Sequence, residues 1–259
     1  MVEIALKNKP FLLNGTTDRA CLLLHGLGGG VYEIQLLGEV LHRQGWTVRG
    51  IAYPGHDRPA PKMPRSTWQQ WFESILTAYL SLANTHDSVS VVGFSTGCPL
   101  ALYLAASHPV DRLVLLSPYL KIRYEWYFGL PLEVYVRTLG YVIEDIPRFR
   151  LPIRDRHMEA AARSVAFFQT FNMAAVRSAI QLIEDYAKPV IPKISNPIAI
   201  VQSKRDSVVA PAGADYIYRN VASADKELTW LTESDHIITL DLERQQVFDK
   251  VGTFLAQGH

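Results

Sequence analysis

The sequence predicts an α/β domain built on a doubly wound, mostly parallel sheet. Three observations point there: short apolar runs, segments of helical period between them, and turn residues placed directly after several of the runs. The runs at 20–24, 47–52, 89–93, 113–116, 198–202 and 228–231 are the expected strands. Several are apolar throughout, as central strands are when helices cover both faces of a sheet and neither face meets water. Trp68, Trp71, Phe72, Ile75, Leu76, Tyr79 and Leu80 recur at steps of three and four, which gives a helix with one apolar stripe. Ser66 with Gln69 is the expected capping box of that helix. Residues 3–13 read as an N-terminal strand or hairpin.

Composition narrows the classes. A chain of 259 residues with 48% hydrophobic content can bury the core of one large domain. The net charge of +1 offers no general field to a polyanion, so nucleic acid is not an expected partner. Nowhere do about 18 apolar residues run together, and the N-terminus lacks a signal-length apolar stretch; a soluble, cytoplasmic protein is expected. Cys21 and Cys98 are too few for a disulfide framework and read as buried thiols. His, Cys, Asp and Glu form no convincing ligand cluster, so neither metal nor cofactor is expected.

Gly93-Phe94-Ser95-Thr96-Gly97 follows an apolar strand directly and precedes a small-residue helix predicted over 96–107. A serine on a sharp strand-to-helix turn needs glycine on both sides, because the bend and the close helix leave no room for side chains there. Ser95 is therefore the candidate nucleophile. Pro99 falls in the first helical turn, where a missing donor costs little. After the first long strand comes His25-Gly26-Leu27-Gly28-Gly29-Gly30, a loop flexible enough to aim a backbone N–H at a developing oxyanion. The donors are assigned to Leu27 and Thr96. A phosphate cradle is the competing reading of these glycines, but neither G-x-x-x-x-G-K-[S/T] nor G-x-G-x-x-G is matched. His25 itself reads as a brace for the loop.

Asp206 lies in the loop after strand 198–202, and His236 in the loop after strand 228–231. Ser, then Asp, then His is the chain order expected of such a fold. His236 is the candidate base and Asp206 the group that orients it. Asp235 is the rival acid by adjacency, yet neighbouring side chains rarely turn inward on each other. Its other reading is loop capping.

His25-Gly26-Leu27-Gly28, Gly93-Phe94-Ser95-Thr96-Gly97, the Asp206-Ser207-Val208-Val209 loop with Pro211, and the run from Glu233 to Asp241 resemble the bacterial carboxylesterase and monoacylglycerol lipase branch of the α/β-hydrolases. The resemblance covers nearly the whole chain outside 119–195. It implies an α/β-hydrolase fold with a helical cap insertion, residues 1–118 and 196–259 forming the core and 119–195 the cap. It also implies that Ser95, Asp206 and His236 are catalytic and that Leu27 gives the second oxyanion donor. One departure is Asp57 in Tyr53-Pro54-Gly55-His56-Asp57, where such proteins commonly carry glycine; this bears on the shape of the loop.

The expected cap is rich in large apolar groups, among them Tyr119, Tyr124, Trp126, Tyr127, Phe128, Phe168 and Phe171, which suit an acyl chain or simply pack the cap on the body. Gly26, Leu27, Phe94, Tyr119 and Trp126 are the candidate substrate-binding residues. Arg148, Arg150, Arg154 and Arg156 read as a solvated basic surface of the cap. The expected activity is hydrolysis of a small-molecule carboxylic ester of short-to-medium acyl length, monoacylglycerols included, through an acyl-serine intermediate. A small-ligand receptor on the same fold, a thioesterase and an acyltransferase are the alternatives.

Overall fold

The computed structural model describes residues 5–123, 129–130 and 132–257. In chain order the elements are β1 Phe11–Leu13, β2 Arg19–Leu24, α1 Tyr32–Arg43, β3 Thr47–Gly50, α2 Trp68–Ala83, β4 Ser88–Phe94, α3 Gly97–Ala105 and β5 Leu113–Leu116. Then come α4 Leu132–Thr138, β6 Asp145–Pro147, α5 Arg156–Val165, β7 Thr170–Asn172, α6 Met173–Gln181, α7 Lys188–Val190, β8 Ile198–Ser203, α8 Ala212–Asn220, β9 Lys226–Leu231 and α9 Arg244–Ala256. The main sheet has the order β1-β3-β2-β4-β5-β8-β9, parallel throughout except for the edge strand β1. This is the doubly wound sheet that the apolar runs predict. Within the expected N-terminal strand or hairpin, Phe11–Leu13 forms that edge.

The central strands bury both faces, and their side chains divide strictly by parity. Ala20, Leu22, Leu24, Val91, Leu113, Leu115, Ile198 and Ile200 join one core with α2, α3 and α8. Cys21, Leu23, Val92, Val114, Leu116, Ala199 and Val201 join the other with α1, α5 and α9. A period of two along each strand sends alternate residues to opposite layers. Two cores on one sheet explain why these runs are mostly apolar, Ser90 and Gln202 being buried exceptions.

Helix α2 begins one residue later than the sequence reading places it. Its N-cap is Thr67, whose hydroxyl accepts from the Gln70 N–H while the Gln70 side chain accepts from the Thr67 N–H. Ser66 is buried and is taken instead by the Trp71 indole N–H at 2.9 Å. The stripe itself points inward at Trp68, Trp71, Ile75 and Tyr79, whereas Leu80 is exposed.

Between β5 and β8 the chain builds its own small layer. Strands β6 and β7 pair antiparallel, and α6 runs on through a π-helical stretch at 182–187. Val136, Met173, Val176 and Ile180 form a separate apolar cluster against Leu27 and Phe171. Thr170 Oγ1 accepts from the Met63 N–H, and Ser178 Oγ accepts from the Trp68 N–H, so the layer is tied to the segment before α2 and to the first residue of that helix.

Asp241 holds the site from below. This buried carboxylate accepts from the N–H groups of Arg154, Asp155 and Leu242 through Oδ1 and from Asp235 N–H through Oδ2. Removing it leaves four backbone donors without this partner, the buried Asp235 N–H and three part-buried ones, at about 1–3 kcal/mol for each that water cannot reach. Asp241→Ala is expected to lower unfolding free energy by about 3 kcal/mol or more in urea melts. A loss under about 1 kcal/mol would mean that these donors find other partners.

Candidate active site

Strand β4 ends at Phe94 and α3 begins at Gly97, so the chain reverses across Ser95 and Thr96. Ser95 takes φ 53°, a left-handed conformation uncommon for a residue with a side chain. The flanking glycines make room. A Cβ at Gly93 would stand 2.5 Å from the Gly97 carbonyl oxygen, and one at Gly97 would stand 2.5 Å from that of Leu24. The Ser95 N–H donates to Leu116 O at 2.9 Å and fixes the turn to β5.

The loops after β8 and β9 deliver Asp206 and His236 to this turn. Ser95 Oγ lies 2.9 Å from His236 Nε2, and His236 Nδ1 lies 2.8 Å from Asp206 Oδ2. With a carboxylate at Nδ1, the neutral ring carries its proton there and offers Nε2 to the hydroxyl. Burial alone would raise the Asp206 carboxyl, but the His236 charge and hydrogen bond, with N–H donors from Val208 and Val209, hold it below the usual range. Burial alone would lower His236; the Asp206 carboxylate and the charges of Glu33 and Asp235 raise it above an ordinary histidine. Asp235 itself turns to the Ser207 N–H at 2.8 Å.

Several supports carry no motif. Gln202 Nε2 donates to Asp206 Oδ2 at 3.0 Å. Ser117, at φ 47°, donates through Oγ to His236 O at 2.8 Å, and Ser203 donates to Ser234 O. Glu243 accepts from the N–H groups of Thr232, Glu233 and Ser234. The faint signal for three of them is a polar residue closing or following an apolar strand; Glu243 has none.

The loop 25–30 lies against the elbow, with Gly26 close enough that a Cβ there would sit 3.2 Å from Ser95 Cβ. Three of its backbone N–H groups are gripped. Gly26 N–H donates to Glu33, Gly28 N–H to His56 Nε2, and Gly29 N–H to Gly26 O. His25 Nδ1 is 2.8 Å from Gly26 O, and its ring stacks on Tyr53 at 4.0 Å. Burial pushes His25 down to about 3 and His56 down to about 4, so both braces are neutral. Among the described residues the N–H groups of Leu27 and Thr96 have no such partner. Asp57, the departure from the usual glycine, is exposed beside Arg58, while Gly55 makes the turn at φ 80°.

The candidate substrate-binding residues divide. Leu27 is partly buried against the apolar cluster of α4 and α6. Tyr119 is buried and donates its N–H to Ser95 O. Phe94 is 1% exposed with its ring 5.2 Å from that of His236, so it backs the imidazole. Trp126 lies outside the described residues. Arg150, Arg154 and Arg156 are exposed, but Arg148 departs from the expected solvated surface: it is half-buried and donates to Gly28 O at 2.8 Å. A cavity of about 340 Å³ beside Tyr79, His86, Asp87 and Pro109 opens at the amino end of β4, away from Ser95. Among the described residues no three His, Cys, Asp or Glu side chains group as a metal site.

A family model described as serine aminopeptidase, S33, matches residues 15–243. A carboxylesterase of Bacillus subtilis (strain 168) is 29% identical over 95% of this chain and 96% of its own. A thermostable monoacylglycerol lipase of Bacillus sp. (strain H-257) is 27% identical over 91% of this chain and 90% of its own. A solved structure from work on LipS and LipT, two metagenome-derived lipolytic enzymes, superposes with a TM-score of 0.81 at 22% identity, covering 96% of this chain and 97% of that one. With its sheet order, its elbow and a match across most of its length, the chain belongs to the serine aminopeptidase S33 family of α/β-hydrolases.

Proposed function

We propose that this enzyme hydrolyses carboxylic esters through an acyl-Ser95 intermediate. The observation that carries the reading is the chain from Ser95 Oγ through both nitrogens of His236 to Asp206, at 2.9 and 2.8 Å. His236 takes the hydroxyl proton as Ser95 attacks the ester carbonyl, then gives it to the departing alcohol. Water repeats the sequence to release the acid, with Asp206 stabilising the imidazolium each time. The unpartnered N–H groups of Leu27 and Thr96 are the oxyanion donors, each worth about 3–4 kcal/mol in the transition state. Residues 119–195 act as the cap, and Gly26, Leu27 and Tyr119 border the acyl site.

Short-to-medium acyl esters, monoacylglycerols among them, fit the relatives named as a carboxylesterase and a monoacylglycerol lipase. The family description instead names an aminopeptidase, which would have to hold a free α-ammonium. Glu33 and Asp235, the two further carboxylates that act on His236, are already engaged by backbone N–H groups. Ester hydrolysis is therefore the reading adopted. Transfer of the acyl group to a thiol or another alcohol shares the same intermediate and differs only in the acceptor. We place the enzyme in the cytoplasm, in keeping with two buried, unpaired cysteines; no described helix is long and apolar enough to cross a membrane.

Ser95→Ala and His236→Ala are each expected to lower kcat by about 10⁴- to 10⁶-fold, and the double variant scarcely further, because groups acting as a unit are not additive. Steady-state kinetics on p-nitrophenyl butyrate decide it; losses that add would place the two residues in different steps.

Because only the neutral imidazole can accept the proton, kcat/KM for a neutral ester should rise with pH and level off above one ionisation. The raised pKa of His236 puts that ionisation above the ordinary histidine value of about 6.5. In Asp206→Asn the largest raising charge is gone, with Glu33, Asp235 and burial remaining, so the ionisation moves down. A pH–rate profile that fell through this range, or stayed put in the variant, would contradict the assignment.

Leu27 narrows the space beside the carbonyl, while each methylene buried by the acyl chain contributes about 0.8 kcal/mol. Efficiency should climb with acyl length and then stop, with tert-butyl esters nearly inert and aminoacyl p-nitroanilides uncleaved. Hydrolysis of tert-butyl acetate as fast as ethyl acetate would remove Leu27 from the site.

A further inference from the structure

Arg148 follows β6, and its backbone N–H donates to Gln169 O at 2.7 Å, so the β6–β7 ladder of the cap holds its main chain. Its side chain leaves the cap. The guanidinium donates to Gly28 O at 2.8 Å, one residue beyond Leu27, and lies over the Phe171 ring with its carbon 5.3 Å from the centroid. Phe171 in turn covers Gly28, where an added Cβ would meet the ring at 2.7 Å.

The charge acts on two buried groups at the start of α1. One is Glu33, which burial pushes up and Arg148 pulls back down, and whose Oε2 accepts the Gly26 N–H at 2.9 Å. The other is the Tyr32 phenol, which lies within the influence of Arg148 although its hydroxyl makes no hydrogen bond of good geometry. The loop is thus held from both sides of Leu27: by Glu33 of the body at Gly26, and by Arg148 of the cap at Gly28. The Leu27 N–H shares one planar peptide with Gly26 O, which accepts from the Gly29 N–H, so contacts on both sides of Leu27 narrow the φ and ψ that set its direction.

We propose that Arg148 is a positioning residue through which the seated cap aims the Leu27 N–H at the reacting carbonyl, so that cap docking and the oxyanion hole are completed by one contact. The inference rests on the ester-hydrolase reading above. It gives the cap a part in transition-state stabilisation in addition to covering the acyl chain. Arg148 touches neither substrate nor Ser95, and its effect is carried by the Gly28 carbonyl.

The test compares wild type, Arg148→Ala, Arg148→Lys, the exposed neighbour control Arg150→Ala, and Ser95→Ala on p-nitrophenyl butyrate, with thermal melts of each. Misplacing a donor by a fraction of an ångström to one ångström costs about 10- to 100-fold, so kcat of Arg148→Ala should fall in that range with KM within about 3-fold. Methylguanidinium added at sub-denaturing concentration should restore part of that kcat by occupying the vacated space, which a general loss of stability would not permit. Lysine keeps the charge but loses the planar fork, and should lie between the two. Arg150→Ala should match wild type. If Arg148→Ala does not fold, Arg148→Lys decides, a lower kcat at unchanged KM supporting the proposal. Wild-type kcat in the folded variants, a loss confined to KM, or a loss that methylguanidinium fails to relieve overturns it. Undiminished activity in Ser95→Ala would sink the ester-hydrolase reading first, and the proposal with it.

Discussion

The left-handed bend at Ser95 is the constraint on which the rest of the site depends. A non-glycine residue in that region costs about 1–3 kcal/mol and persists only where its surroundings over-determine it. Here the surroundings are explicit. Gly93 and Gly97 allow β4, α3 and β2 to approach to distances that no Cβ would tolerate, and the Ser95 N–H is locked to Leu116. The bend lifts the hydroxyl off the carboxyl edge of the sheet, where the loops after β2, β8 and β9 also converge. In a doubly wound sheet that edge is where chain segments distant in sequence can meet.

The second determinant is how charge is kept in a dry place. Asp206 is fully buried, and an unpaired carboxylate there would protonate. Four donors keep it ionised: two backbone N–H groups, Gln202 and His236. Only the last also faces the Ser95 hydroxyl; the others hold the carboxylate so that it faces Nδ1. The same chemistry runs in reverse under the loop 25–30, where burial without a carboxylate partner keeps His25 and His56 neutral, leaving Nε2 of His56 as an acceptor for Gly28. One region stabilises an imidazolium and its neighbour forbids one.

Most of the core was legible because its signals are local. Apolar runs, a glycine-flanked serine and acidic and imidazole side chains each placed after a strand lie within a few residues of the structure they specify. What escaped was decided by competition or by distance. Both Ser66/Gln69 and Thr67/Gln70 fit the capping pattern, and the choice fell to Thr67 because the Trp71 indole claims Ser66. Phe94 sits beside Ser95 in sequence but behind His236 in space, since the parity of β4 turns it into the layer packed by α1 and α9. Arg148 was indistinguishable from Arg150, Arg154 and Arg156 by composition; its partner Gly28 lies 120 residues away. Ser117, Gln202 and Glu243 act on loops brought to them only by the assembled fold.

The central claim is that Ser95 carries the acyl group. Rapid acid quench of the enzyme with excess p-nitrophenyl ester, followed by intact-mass and peptide mapping, measures that directly. A mass increase equal to one acyl group, confined to the peptide containing Ser95 and absent from Ser95→Ala, is expected. Full turnover with no adduct on any residue, or an adduct mapped to another side chain, would contradict it.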